Sequence, residues 1–168
     1  MTARPFKLLG VAAGTVGLMA TAYLMIMTTF MIYDDEGFVL MSLRRFLGGE
    51  VLYDEVFSQY GPAPYLYYWF LTVAGSIELT HMFGRLVTLM HWVICALSIG
   101  WVASRIVEQH RFTTGAFATI LSFNLLWQMI AEPSHPGSMI AAILAVSTAA
   151  LVRQVQSSRT HWWPIILG

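Results

Sequence analysis

Residues 8–36 read LLGVAAGTVGLMATAYLMIMTTFMIYDDE, an apolar run that ends in three consecutive carboxylates. As an α-helix the apolar part, Leu8 to Tyr33, is about 39 Å long, and the hydrocarbon core of a bilayer is about 30 Å thick. The apolar core of a secretory signal peptide is shorter, at about 7–15 residues. We therefore predict a tilted, uncleaved transmembrane anchor with Asp34, Asp35 and Glu36 at the lipid–water boundary.

The composition is that of an integral membrane protein. Hydrophobic residues make up 57% of the chain and charged residues 11%, whereas a soluble domain carries about 25% charged residues. This predicts an all-α fold, a polytopic transmembrane helix bundle that forms a single membrane-embedded domain over residues 1–168. The formal net charge of zero argues against a nucleic-acid partner. The single cysteine, Cys95, excludes an internal disulfide.

Further apolar stretches follow the first, and one of them decides the topology. They are Pro62–Gly75, Met82–Val107, Thr113–Ile130, Gly137–Val152 and a run that starts at His161 and breaks off at Gly168. Pro62–Gly75 is shorter than the about 20 residues that a spanning helix needs. If it does not cross, Arg105, Arg111 and Arg153 share one side of the membrane with the N-terminus, as the positive-inside rule requires.

The predicted topology therefore has a cytoplasmic N-terminus and one outer loop from Asp34 to His81. We expect the bacterial inner membrane, and surface helices within this loop. Asp34 or Asp35 can cap the first surface helix, and Gly48-Gly49 can end it. The apolar residues of this helix form one stripe, and its polar residues lie largely elsewhere, which predicts a helix lying in the interface plane. The stripe comprises Val39, Leu43, Phe46 and Leu47, and the polar positions are Ser42, Arg44 and Arg45.

The acidic triplet allows three roles when it is judged from the residues alone. It can cap a helix and mark the wet side of the membrane, it can accept a proton, or it can bind a divalent cation. Acidic caps are common, so the residues alone favour the first role.

A set of short motifs resembles one enzyme family. The motifs are Asp35-Glu36-Gly37, Arg44-Arg45-Phe46-Leu47-Gly48-Gly49-Glu50, Leu52-Tyr53-Asp54, Tyr60-Gly61-Pro62 with Tyr65, and Gly84-Arg85-Leu86. In this order they resemble the first part of the GT-C fold membrane glycosyltransferases, closest to the bacterial relatives of the protein mannosyltransferases and lipid A aminoarabinose transferases. The resemblance covers about residues 30 to 110. It implies that the chain is the N-terminal part of a larger bundle.

The resemblance implies a reaction of the cell envelope. A sugar passes with inversion from a polyprenyl-phosphate donor to an acceptor at the outer face of the membrane. The family's first-loop Asp-Glu pair falls on Asp35 and Glu36, with Asp34 as an extra neighbour, and Asp35 is the expected base. A carboxylate base suits a weak hydroxyl nucleophile, and a departing phosphate needs neutralisation by a cation.

The candidates for the donor phosphate are Arg85, His81 and Arg45. Arg85 lies one helical turn after His81, so both occupy one face near the outer end of a span. The alternative for Arg85 is an ion pair with Glu78, because a charge in a span usually has a partner. Arg45 can instead reach lipid headgroups. His91, deeper in the same span, is predicted to be a hydrogen-bonded core histidine.

A divalent metal ion is a possible cofactor, with Asp35, Glu132 and His135 as ligands. The alternative is that Ser134 or His135 caps a helix that starts at Pro136. The alternative function is a small non-enzymatic membrane subunit or a transporter component. The parent protein, more than this 168-residue piece, is expected to carry any enzyme activity.

Overall fold

The computed structural model describes residues 3–29, 35–107, 109–130 and 132–157. The helices are α1 (Ala3–Thr28), α2 (Asp35–Leu47), α3 (Ala63–Gly75), α4 (His81–Ile106), α5 (Arg111–Leu125), a 3₁₀ helix (Leu126–Ile130) and α6 (Pro136–Ser157). In these residues β pairing is confined to an isolated bridge between Leu52 and Val56. The all-α prediction is therefore confirmed for the described part of the chain.

Three helices are long and apolar enough to cross a membrane: Leu9–Thr28, His81–Ile106 and Pro136–Ser157. They correspond to three of the predicted spans. The predicted span Thr113–Ile130 is divided between α5 and the 3₁₀ helix, and its crossing stays a prediction. The run that starts at His161 lies outside the described residues.

The first helix ends earlier than the sequence predicts. The apolar run continues to Tyr33, but α1 ends at Thr28. The carbonyl of Ile26, in the last turn of α1, accepts a hydrogen bond from Nη1 of Arg85 at 3.0 Å. An arginine that binds a carbonyl of the last turn stabilises a helix end.

The long helices lie side by side around α4. Ile26 of α1 contacts Arg85 near the start of α4, while Gly10 and Arg105 line one cavity at the other end, so α1 and α4 are antiparallel. Ser138 of α6 bonds His91, and Gln156 donates to the Arg105 carbonyl, so α6 runs parallel to α4.

The parallel course of α4 and α6 constrains the chain between them. Residues 111–130 must return along the length of α4, with Gly115 against Gly100 and Phe123 against Trp92. As a helix α5 covers about 22 Å, and the 3₁₀ turns add about 10 Å. If α4 and α6 both cross the membrane, the segment between them crosses it too.

The two ends of the bundle differ in content. Helices α2 and α3 and the loop before α6 lie at one end, here called the Glu36 end. Arg105 and Arg153 lie at the opposite end, here called the Arg105 end, where they line a common cleft. The chain thus separates its acidic first loop from its later arginines by the full length of α4.

Two apolar clusters hold this arrangement. In the first, α1, α4 and α5 meet around Trp92, which is fully buried and stacks on Phe123 with ring centroids 4.3 Å apart. In the second, α2 and α3 pack with the 50–56 turn on the start of α4, around Leu40, Leu43 and Val56. The second cluster fixes the position of α2.

The buried face of α2 is wider than the predicted stripe. Val39 and Leu43 are buried as predicted, but Leu40 and Ser42 are buried as well. Helix α2 contacts both α3 and α4, so it has two buried sides, and the prediction that Ser42 lies off the buried face is wrong. Its end at Gly48-Gly49 is confirmed, with Gly49 at a φ of 98° that favours glycine.

Gly100 allows α4 and α5 to approach closely. A Cβ at this position would lie 2.7 Å from the Gly115 carbonyl oxygen and would collide with Thr119. We expect Gly100→Ala to lower stability by about 1–3 kcal/mol, measured as thermal unfolding in detergent. Gly14→Ala is the matched control, because its Cβ meets no atom within 4 Å. Equal melting temperatures for the two variants would contradict this close packing.

Candidate functional site

Glu36 lies in the first turn of α2 with only 7% of its surface exposed. Its carboxylate accepts hydrogen bonds from Nε of Arg85 at 3.0 Å and from Nη2 at 2.8 Å. This bidentate geometry is the strongest that a carboxylate and a guanidinium form. Nδ1 of His81 lies 3.4 Å from the same carboxylate. His81 and Arg85 therefore share one face of α4, as their spacing predicts.

Arg85 joins three helices through one side chain. Its guanidinium binds Glu36 on α2 and the Ile26 carbonyl of α1, and the residue itself belongs to α4. The side chain is 14% exposed, and a charge so little hydrated requires a partner. The predicted alternative partner, Glu78, is wrong, because the partner is Glu36. Glu36 becomes the partner because the fold brings α2 back onto α4.

Asp35 is the first residue of α2, directly before the bonded Glu36. A helix N-terminus favours an anionic side chain by its dipole and its free amide groups. The Asp35 side chain and the whole of Asp34 lie outside what the structure describes. The catalytic roles predicted for this triplet stay predictions, and so does the capping of α2 by Asp34 or Asp35.

Arg45 lies at the other end of α2. Its Nε donates to Glu50 at 2.6 Å, and its Nη2 donates to the Glu55 carbonyl at 2.7 Å, which holds the turn after α2. The hydrogen bond that Arg45 donates to the Glu50 carboxylate raises the Arg45 pKa. Arg45 is about 14 Å from Glu36 along the helix axis. The structure therefore brings Arg85 and His81 together but does not bring Arg45 to them.

Glu132 and His135 lie in the loop before α6. His135 Nε2 is 3.7 Å from Glu132 Oε2, and His135 Nδ1 accepts the Gly137 amide at 3.0 Å. The predicted cap at the start of α6 is confirmed for His135. The described residues hold no group of three side chains of His, Cys, Asp or Glu close enough for a metal ion. The metal set with Asp35 stays a prediction.

A hydrogen-bonded chain crosses the bundle near this loop. Tyr67 Oη lies 2.9 Å from Nε2 of His91, and His91 Nδ1 lies 3.0 Å from Ser138 Oγ, which donates to the His135 carbonyl. If Ser138 donates its proton to that carbonyl, it accepts from Nδ1, and Tyr67 then donates to Nε2. The prediction that His91 is a hydrogen-bonded core residue is confirmed. Its partners are far away in sequence, and no local signal identifies them.

Gly84, next to Arg85, is explained by the packing of Ser134. Ser134 is 2% exposed and has a φ of 67°, and its amide donates to Thr88 Oγ1 at 2.7 Å. Its hydroxyl faces Gly84 so closely that a Cβ there would collide with it. Among the described residues this hydroxyl has no hydrogen-bond partner. The absence of a side chain at Gly84 thus lets the loop before α6 lie directly on α4.

The ion pair of Glu36 and Arg85 allows a double-mutant cycle. We expect Glu36→Gln and Arg85→Gln each to lower stability by about 3 kcal/mol, because each leaves a buried charge unpaired. The double variant should lose less than the sum, since neither charge remains. Chemical unfolding in detergent measures all three variants.

Arg45→Gln is the control for this cycle. It removes an ion pair that is exposed to solvent on both sides, and such a pair contributes little to stability. Strictly additive losses in the double variant would show that Glu36 and Arg85 do not interact in the folded protein.

Comparison of the chain with family models, with curated proteins and with solved structures finds no match.

Proposed function

We propose that the chain is part of a GT-C-type membrane glycosyltransferase that transfers a sugar from a polyprenyl-phosphate donor to an acceptor at the outer face of the membrane. The observation that supports this most is the locked position of Glu36. A partly buried arginine fixes this carboxylate at the start of α2, and Asp35 directly precedes it in the same turn. The backbone that carries the proposed base is thereby held in place.

The proposal divides the work between the neighbouring carboxylates. Both oxygens of Glu36 accept hydrogen bonds from Arg85, and the residue is only 7% exposed, so its carboxylate is already engaged inside the protein. Asp35 therefore acts as the base that takes the proton of the acceptor hydroxyl. Glu36 and Arg85 act as positioning residues.

His81 is the group on this helix face that remains open to a ligand. Its side chain is 58% exposed, against 14% for Arg85. Arg85 already directs Nε and Nη2 to Glu36 and Nη1 to Ile26. In the proposal the His81 ring donates a hydrogen bond to the donor phosphate and stabilises the charge on the leaving group.

The charge asymmetry of the bundle supports the orientation. Arg105 and Arg153 lie at the end opposite Glu36, and short cytoplasmic loops are enriched in arginine and lysine. The Glu36 end then faces the exterior, where the lipid-linked sugar is presented.

Asp35→Asn tests the assignment of the base. In the full-length protein in membranes, we expect transfer from a panel of polyprenyl-phosphate sugars to fall by about 10²–10⁴-fold, with unchanged protein abundance. Glu78→Gln is the control, because Glu78 is an exposed carboxylate at the same end, and it should retain activity. Full activity in Asp35→Asn would contradict the base assignment. No transfer by the wild-type protein with any donor would favour the non-enzymatic subunit.

Cysteine labelling tests the orientation. Glu132→Cys and Ser157→Cys place exposed thiols at opposite ends of the bundle, while the native Cys95 is buried. A membrane-impermeant maleimide should label position 132 in intact cells and position 157 only after permeabilisation. The reverse pattern would place the Glu36 end inside the cell and would end the proposal.

A further inference from the structure

A groove runs between α1 and α5 at the Arg105 end, with α4 as its floor. Its volume is about 1120 Å³, and three glycines of α1 line it. They are Gly10, Gly14 and Gly17, and a Cβ at any of them would meet no atom within 4 Å. From Gly10 to Leu18 the groove follows α1 for about 12 Å. The groove has the size and lining for an extended hydrocarbon chain.

A polar cleft of about 800 Å³ adjoins this groove on the α6 side. Its lining residues are Trp101, Arg105, Arg153, Gln154, Gln156 and Ser157, together with alanine and valine side chains of α6. Trp101 and Arg105 line both cavities. The Arg105 guanidinium lies 4.9 Å from the centre of the Trp101 ring, a cation–π contact that orients the charge. One arginine therefore stands where an apolar groove meets a polar cleft.

The charges at this end are complementary to an anion. Arg105 and Arg153 line the cleft. The acidic residues that the structure describes lie in α2, in the turn after it, and in the loops before α4 and α6, at the Glu36 end. They are Asp35, Glu36, Glu50, Asp54, Glu55, Glu78 and Glu132, while Asp34 and Glu108 lie outside the described residues.

We propose that this end binds one anionic phospholipid of the surrounding membrane. The phosphate lies in the cleft between Arg105 and Arg153, and one acyl chain lies in the groove between α1 and α5. Arginine binds phosphate through paired N–H donors, and basic pockets between transmembrane helices bind anionic headgroups. Neither cavity alone would select a lipid, but an apolar groove and a cationic cleft that share Arg105 match the two halves of an amphiphile. This site lies at the opposite end from the proposed transferase site and is independent of it.

The test measures phospholipid binding and does not depend on sugar transfer. The protein is purified in a neutral detergent, and its melting temperature is followed as dioleoyl phosphatidylglycerol or dioleoyl phosphatidylcholine is added. Native mass spectrometry counts the bound lipids. We expect one phosphatidylglycerol to bind and to raise the melting temperature, with a markedly smaller effect of phosphatidylcholine.

Two variants separate the cleft from the groove. Arg105→Gln with Arg153→Gln should weaken phosphatidylglycerol binding roughly thirtyfold, from the loss of two cationic contacts. Gly14→Leu should displace the acyl chain while all charges remain, because its side chain enters the open groove. The controls are Arg45→Gln at the opposite end and Ala13→Leu, which lies on α1 outside the groove lining.

Three outcomes would overturn the proposal. The first is equal binding of the two lipids to the wild-type protein. The second is an equal loss of binding in the variants and in their controls. The third is a bound species in mass spectrometry that is a second copy of this chain or another protein in place of a phospholipid.

Discussion

The contact between Arg85 and Glu36 is the constraint on which the Glu36 end depends. A guanidinium with little exposure to water is costly unless its donors are used, and all three of its nitrogens bond to Glu36 or to the Ile26 carbonyl. These bonds require α2 to fold back across the start of α4, beside the last turn of α1. One partly buried charge thus fixes the position of α2 against α1 and α4.

The rest of the bundle follows from close packing along α4. Gly100 and Gly115 let α4 and α5 approach, and Gly84 admits the loop that carries Ser134. The chain from Tyr67 through His91 to Ser138 then ties α3, α4 and α6 together. Small residues and hydrogen bonds hold helices together in a membrane because apolar surface gains little there by leaving lipid. The polar residues that are buried here belong to that type of packing.

Much of the architecture could be predicted from local pattern. The lengths of the apolar runs gave helices close to the observed α3, α4 and α6, and the double glycine gave the end of α2. The shared face of His81 and Arg85 followed from helical periodicity. The partner of Arg85 was missed because Glu36 and Arg85 are 49 positions apart in the sequence and meet only in the folded chain. The face of α2 that buries Ser42 likewise depends on two neighbours that the sequence does not place.

The sequence by itself determined that this is an apolar helical chain with its acidic residues concentrated in the first loop. Composition and periodicity are local properties, and they decide directly which segments prefer lipid and which prefer water. Only the tertiary structure decided which carboxylate is bound by Arg85 and that Arg105 stands between an apolar groove and a polar cleft. These contacts form when helices that are distant in sequence meet. The free energy that selects them comes from buried charge and close packing, which depend on residues from several segments at once.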